Sequence, residues 1–74
     1  MDYDVIESKP WVDGGEGCYP ARVVLLKINK GGRTEWSTHI QYDAAQDGRQ
    51  KHVAHGHYFE TVWDAAMDFK KREV

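Results

Sequence analysis

Four histidines, His39, His52, His55 and His57, are the first residues whose type and spacing could do chemistry. Imidazole binds metals and moves protons near neutral pH. If the second half of the chain holds a strand there, His55 and His57 project to one side of it. His39, on a neighbouring strand, could face His55, and zinc accepts three imidazoles with a fourth position open. No carboxylate stands behind these rings at a spacing that would orient them. The reading is therefore solvated histidines on a polar sheet face, with no metal and no other cofactor.

Cys18 and Ser37 are the candidate nucleophiles, and each would need an oriented base and an oxyanion hole. Ser37 could lie near His57, but an open sheet face excludes no water. Cys18, just before Tyr19-Pro20, reads as packing at a strand entrance. The glycines between Gly14 and Gly17 could suggest a phosphate cradle, which needs a following helix N-terminus and usually a lysine. Here Glu16 intervenes and a strand follows, so the segment reads as a hairpin loop. No catalytic residue is assigned, and the chain is read as non-enzymatic.

Cations give the third candidate surface. Met1 to Gly17 carries five acids and one lysine, whereas Cys18 to Thr34 carries Arg22, Lys27, Lys30 and Arg33 with no acid. Lys27, Lys30, Arg33, Arg49 and Lys51 form the candidate set for nucleic-acid contacts, of the salt-sensitive, weakly specific kind that phosphates give. Against it stand the acidic first segment and a net charge of -2 over the chain.

Seventy-four residues form one domain, 1–74, with room for a single core. Burial contributes about 110 kcal/mol at ~25 cal/mol per Å², and ordering the chain costs about the same. A lone copy is marginal, so a partner or a second copy would stabilise it. The longest apolar run is Val23-Val24-Leu25-Leu26, far short of a membrane span. Asp2, Asp4 and Glu7 stand where a signal peptide would be basic and then apolar. Cys18 is the single cysteine, so no disulfide framework arises and a reducing cytoplasm is expected.

The elements that must position these side chains follow from hydrophobic periodicity. Tyr3 to Ser8 reads as a first strand, ended by Lys9-Pro10. In Arg22 to Asn29, Val24, Leu26 and Ile28 share one face, with Val23, Leu25 and Lys27 on the other. Asn29 to Arg33 supplies a glycine turn. Thr34 to Asp43 places Trp36, Thr38, Ile40 and Tyr42 on one face, with Ser37, His39 and Gln41 opposite. A strand from Arg49 to Tyr58 follows a turn at Asp47-Gly48. A two-residue turn there would set Ile40 opposite His55 and Thr38 opposite His57. A three-residue turn with Gly48 left-handed would set Trp36 opposite Tyr58 and Ile40 opposite Ala54, leaving His39 against His55 in solvent. The second keeps polar groups out of the core and is preferred.

The last element is a helix capped by Thr61, with Asp64 three residues on and an apolar stripe of Val62, Ala65, Ala66 and Phe69. The fold is read as α+β: an antiparallel β-meander of three to four strands with one C-terminal helix packed on one face. Trp36, Ile40, Val24, Leu26, Tyr58, Val62, Ala66 and Phe69 form the expected core. One helix covers one face, so the uncovered face is the expected binding surface. It would carry Val23, Leu25, Lys27, Ser37, His39, Gln41, Val53, His55 and His57.

The run Tyr58-Phe59-Glu60-Thr61-Val62-Trp63-Asp64-Ala65-Ala66 takes an aromatic out of the last strand and opens a helix on Thr and an acid-Ala pair. From Ala21 to Arg72 the pattern resembles the N-terminal arm domain of tyrosine recombinases, which is similar in shape to the AP2 domain of plants. It is also similar to small bacterial and phage domains. The resemblance implies an open sheet face that enters a DNA major groove, with Lys27 on a strand and Lys30, Arg33, Arg49 and Lys51 near the turns. The reading taken from the residues is a binding module acting through its open sheet face on a protein partner or on itself, as a homodimer. Nucleic-acid binding is the alternative.

Overall fold

The structure, a computed structural model, describes residues 2–43 and 52–74. Its elements are β1 (Asp2–Ser8), β2 (Ala21–Lys30), β3 (Arg33–Tyr42), β4 (His52–Phe59) and α1 (Val62–Lys71). The strands form one antiparallel sheet in the order β1-β2-β3-β4, and the helix follows, as the periodicity implies. The turn expected at Asp47-Gly48 lies outside the described residues. Among them, no helix is long and apolar enough to cross a membrane.

The β2–β3 hairpin decides what each face carries. Lys30 pairs with Arg33 across Gly31-Gly32, whose φ values of 50° and 89° suit a two-residue turn with both central residues left-handed. Such a turn sets Val23 opposite Ile40 and Leu25 opposite Thr38, while Val24 meets His39 and Leu26 meets Ser37. Directly opposed residues share a face. The expected grouping of Val24 and Leu26 with Ile40 beneath the helix is therefore reversed. Ala21, Val23 and Ile40 cluster with Tyr42 and Phe69 on the helix side. Val24, Leu26 and Ile28 cluster with Tyr3 and Val53 on the far face.

Both edge strands contain a bulge. In β1, Val5 pairs with Leu26 but Glu7 with Leu25, so Ile6 is the extra residue and Glu7 moves to the helix side. In β4, Ile40 pairs with Ala54 and Gln41 with Val53, whereas Thr38 pairs with His57 and Ser37 with Tyr58. Each of the two registers weighed from sequence thus governs half of the strand. His55, with φ 55°, lies at the switch. Tyr58 consequently leaves the expected core: it is 52% exposed on the far face. Trp36 is half-buried, with the Lys27 ammonium 5.8 Å from its ring centroid.

Helix α1 starts as expected. The Thr61 hydroxyl accepts from the Asp64 backbone N–H at 3.3 Å and donates to the Asp64 carboxylate at 3.0 Å. Ala65 is fully buried against the sheet, and Val62, Ala66 and Phe69 are half-buried. At the other end Lys9, just past β1, donates to the carbonyls of Arg72 at 2.6 Å and Lys70 at 3.2 Å. A cation there satisfies orphan carbonyls and complements the negative end of the helix.

Candidate functional site

Three groups of side chains are candidates, and the sheet faces separate them. On the helix side, Asp68 accepts from the Thr38 hydroxyl at 2.5 Å and from His57 Nδ1 at 3.0 Å. Arg72 donates through Nη1 to the Thr38 carbonyl at 2.9 Å and the Thr38 hydroxyl at 3.0 Å, and through Nη2 to the His55 carbonyl. Burial pushes the Asp68 carboxyl up, but hydrogen bonds from Thr38 and His57 and the nearby charges of His57 and Arg72 outweigh it. The net shift is below the usual carboxylate value. His57 and Asp68 have the form of a dyad that orients a base. Here the carboxylate also holds Thr38, and Arg72 grips the strand at its bulge. The group fastens the helix to the two strands.

On the far face Ser37 Oγ lies 2.9 Å from His39 Nδ1, and His39 Nε2 lies 3.3 Å from the Tyr58 hydroxyl. The two rings meet edge to face with centroids 5.4 Å apart. Ser37 is fully buried and His39 is 4% exposed. Burial, with the charges of Arg72 and His57 beyond, lowers the His39 pKa. Gly56 makes the arrangement fit: a Cβ there would fall 2.8 Å from His39 Cε1 and 2.9 Å from Tyr58 Cε2. The bulge therefore brings bare backbone under the imidazole.

The expected binding set is divided by this geometry. Val23 and Leu25 are 1% and 3% exposed on the helix side, and are not available to a partner. Lys27 and His57 share that side, and the exposed His55 approaches Tyr42, with centroids 6.4 Å apart. His39, Gln41 and Val53 belong to the far face. The imidazoles of His39 and His57 are thus on opposite faces, and the expected meeting of three does not occur. Among the described residues no group of three metal-ligating side chains converges. Ser37 pairs with His39 and His57 with Asp68, which removes the expected Ser37–His57 contact. Cys18 is exposed in the loop.

The cations divide too. Lys30 and Arg33 lie 3.5 and 3.6 Å from Glu35, and the Lys30 ammonium is 5.8 Å from the Tyr58 ring centroid. Arg22 donates to Gln41 at 2.8 Å and stacks over Trp11 at 4.3 Å. Lys27 lies on the other face, and Arg49 and Lys51 lie outside the described residues.

The third group was not singled out from sequence as a surface. Trp63 is 79% exposed and Met67 59%, one turn apart on the side of α1 that faces away from the sheet. Trp63 and Met67 themselves line, with Ala66 and Phe69, a groove of about 380 Å³ between the helix and the end of β1, edged by Glu7, Lys9 and Lys70. The sequence signal was present: Trp63 and Met67 flank the apolar stripe and fall off its axis. No protein-family model, curated protein or solved structure matches the chain.

Proposed function

We propose that the chain is a protein-association module, without catalysis, whose contact surface is the outward side of α1. The observation that carries this reading is the exposure of Trp63 and Met67 one turn apart on α1. Adjacent exposed apolar side chains form a patch that a partner can cover, and Trp is among the side chains most enriched where binding energy is concentrated. Met beside it supplies a surface that adapts to a partner. The polar clusters argue the same way, because their hydroxyl, imidazole and carboxylate groups are engaged in fastening elements together. A photo-crosslinking side chain at position 67, with one at Glu16 as control, tests the reading. Discrete protein adducts from position 67 alone support it. Equal or no adducts at the two positions overturn it.

A second reading has its own observation. Tyr58, Lys30, Arg33 and Arg22 share the far face, while Asp4 and Glu7 pair toward the helix side. Aromatic rings with cations on one sheet face suit nucleic acid, and this is the face that the resemblance to recombinase arm domains would place against DNA. Glu35 offsets part of the charge. Titration of labelled duplex and single strands at low salt tests it. Binding should fall with salt and vanish in Lys30→Glu/Arg33→Glu, and absence of binding at low salt overturns it.

A further inference from the structure

We infer that Tyr58 is an acid-opened cover over His39: when the imidazole takes up a proton, the phenol swings off the far face while β4 keeps its place in the sheet. Three contacts close the niche around the ring. Ser37 Oγ lies 2.9 Å from Nδ1, and the Tyr58 hydroxyl lies 3.3 Å from Nε2. The Gly56 backbone lies beneath, too near for a Cβ. A neutral imidazole suits the two hydroxyls, donating to one and accepting from the other. Each hydroxyl can also turn a lone pair to an imidazolium N–H. Protonation therefore breaks no hydrogen bond by itself; what it adds is a charge shut away from water.

The charges around the niche do not compensate for that proton. On the helix side Arg72 and His57 raise its cost, and the Asp68 carboxylate there is taken up by His57 and Thr38. On the far face Arg22 of β2 bonds to Gln41, and the Lys30 ammonium lies 5.8 Å from the Tyr58 ring centroid. Glu35, the acid of β3 on that face, is held by Lys30 and Arg33. Among the described residues no carboxylate lies within ion-pair distance of His39. Burial, then Arg72 and His57, lower its pKa. The folded value thus lies below the ~6.5 of an unfolded chain. The closed niche is undisturbed above that pH and loses favour as pH falls from it through the folded value.

Relief comes from the group that moves most cheaply to admit water. The β4 backbone is pinned on the opposite face, by Arg72 at the His55 carbonyl and by His57 at Asp68. Ser37 is fully buried. Tyr58 is already 52% exposed, and it meets His39 through an edge-to-face contact and one long hydrogen bond. Turning its side chain carries the ring into solvent and hydrates the imidazolium from that side.

NMR of the intact chain from about pH 8 to about pH 5 tests this, following the His39 and Tyr58 ring signals and the contact between them. Circular dichroism reports the fold. The Tyr58 signals should move with the midpoint of His39, below ~6.5, and the ring contact should vanish while the far-UV spectrum stays constant. His39→Gln should abolish the Tyr58 change. His57→Gln should keep it and let His39 titrate at higher pH. Tyr58→Ala removes the cover and should return His39 toward its ordinary value. A ring contact that survives His39 protonation overturns the inference, as does a His39 still neutral at the acid end. A Tyr58 change that persists in His39→Gln, or loss of the far-UV spectrum at the same midpoint, overturns it equally.

Discussion

Replacing Arg72 with Met keeps the aliphatic stem and removes the fork that joins the helix end to β3 and β4. The guanidinium makes two hydrogen bonds to Thr38, at 2.9 and 3.0 Å, and a third to the His55 carbonyl. Thr38 is fully buried and lies beside the bulge, where the ladder is interrupted, so its carbonyl would lose a partner that no strand replaces. Charged hydrogen bonds are worth about 1.5 kcal/mol or more each when buried. These are only partly buried, which sets the expected loss at about 2–3 kcal/mol. A chain of this length holds roughly 4–11 kcal/mol in all. At about 4–8 °C per kcal/mol, Arg72→Met should lower the Tm by about 10–20 °C. Arg72→Lys should recover less than half, because a single ammonium cannot reach both strands with fork geometry. Thermal unfolding followed by circular dichroism measures it, with the exposed neighbour substitution Lys71→Met as reference. Equal Tm shifts for Arg72→Met and Lys71→Met would refute the fastening role.

Three further outcomes follow from the same contacts. Phe69→Ala strips a half-buried ring from the Val23–Ile40 cluster and should cost about 2–3 kcal/mol in denaturant unfolding, somewhat under the value for a fully buried ring. The folded-state pKa of Asp68 is lowered, so its contribution is complete above the unfolded value near ~3.9 and is lost as pH falls through the folded pKa. Asp68→Asn should accordingly flatten the decline of stability between about pH 5 and pH 3, seen as a smaller difference in urea midpoints. Gly56→Ala forces a methyl against the His39 ring, which Ser37 holds from behind. It should cost about 1–3 kcal/mol and break the edge-to-face contact with Tyr58, visible as a change in the His39 and Tyr58 ring resonances.

Element identities were readable because local physics sets them. Thr61 caps, the Val62–Phe69 stripe repeats at helical spacing, and Arg22 to Asn29 alternates as a strand should. The assignment of faces was not readable in the same way. Val23 and Leu25 are as apolar as Val24 and Leu26, so alternation along β2 cannot say which set meets the helix. Only the count of residues in the Gly31-Gly32 turn decides it, and with it the fate of the expected binding surface. The last hairpin differs: both registers hold over part of it, and the bulge reconciles the pairing of buried Ile40 with half-buried Ala54 with a His57 that reaches Asp68. Lys9 gave no signal, since its carbonyl partners lie 61 and 63 residues away.

The two bulges also bear on behaviour in a crowded solution. β1 and β4 are the outermost strands, and each would offer a row of unpaired amides and carbonyls to any passing strand. A continuous rim of that kind is a template on which sheets extend from molecule to molecule into fibres. Ile6 interrupts one rim and the left-handed His55 the other, so a docking strand meets its register broken partway on either side. The irregularities that blur the sequence pattern thus limit growth at the two places where the sheet could be prolonged. Restoring regularity, by deleting Ile6 for example, would favour fibrils over the folded domain.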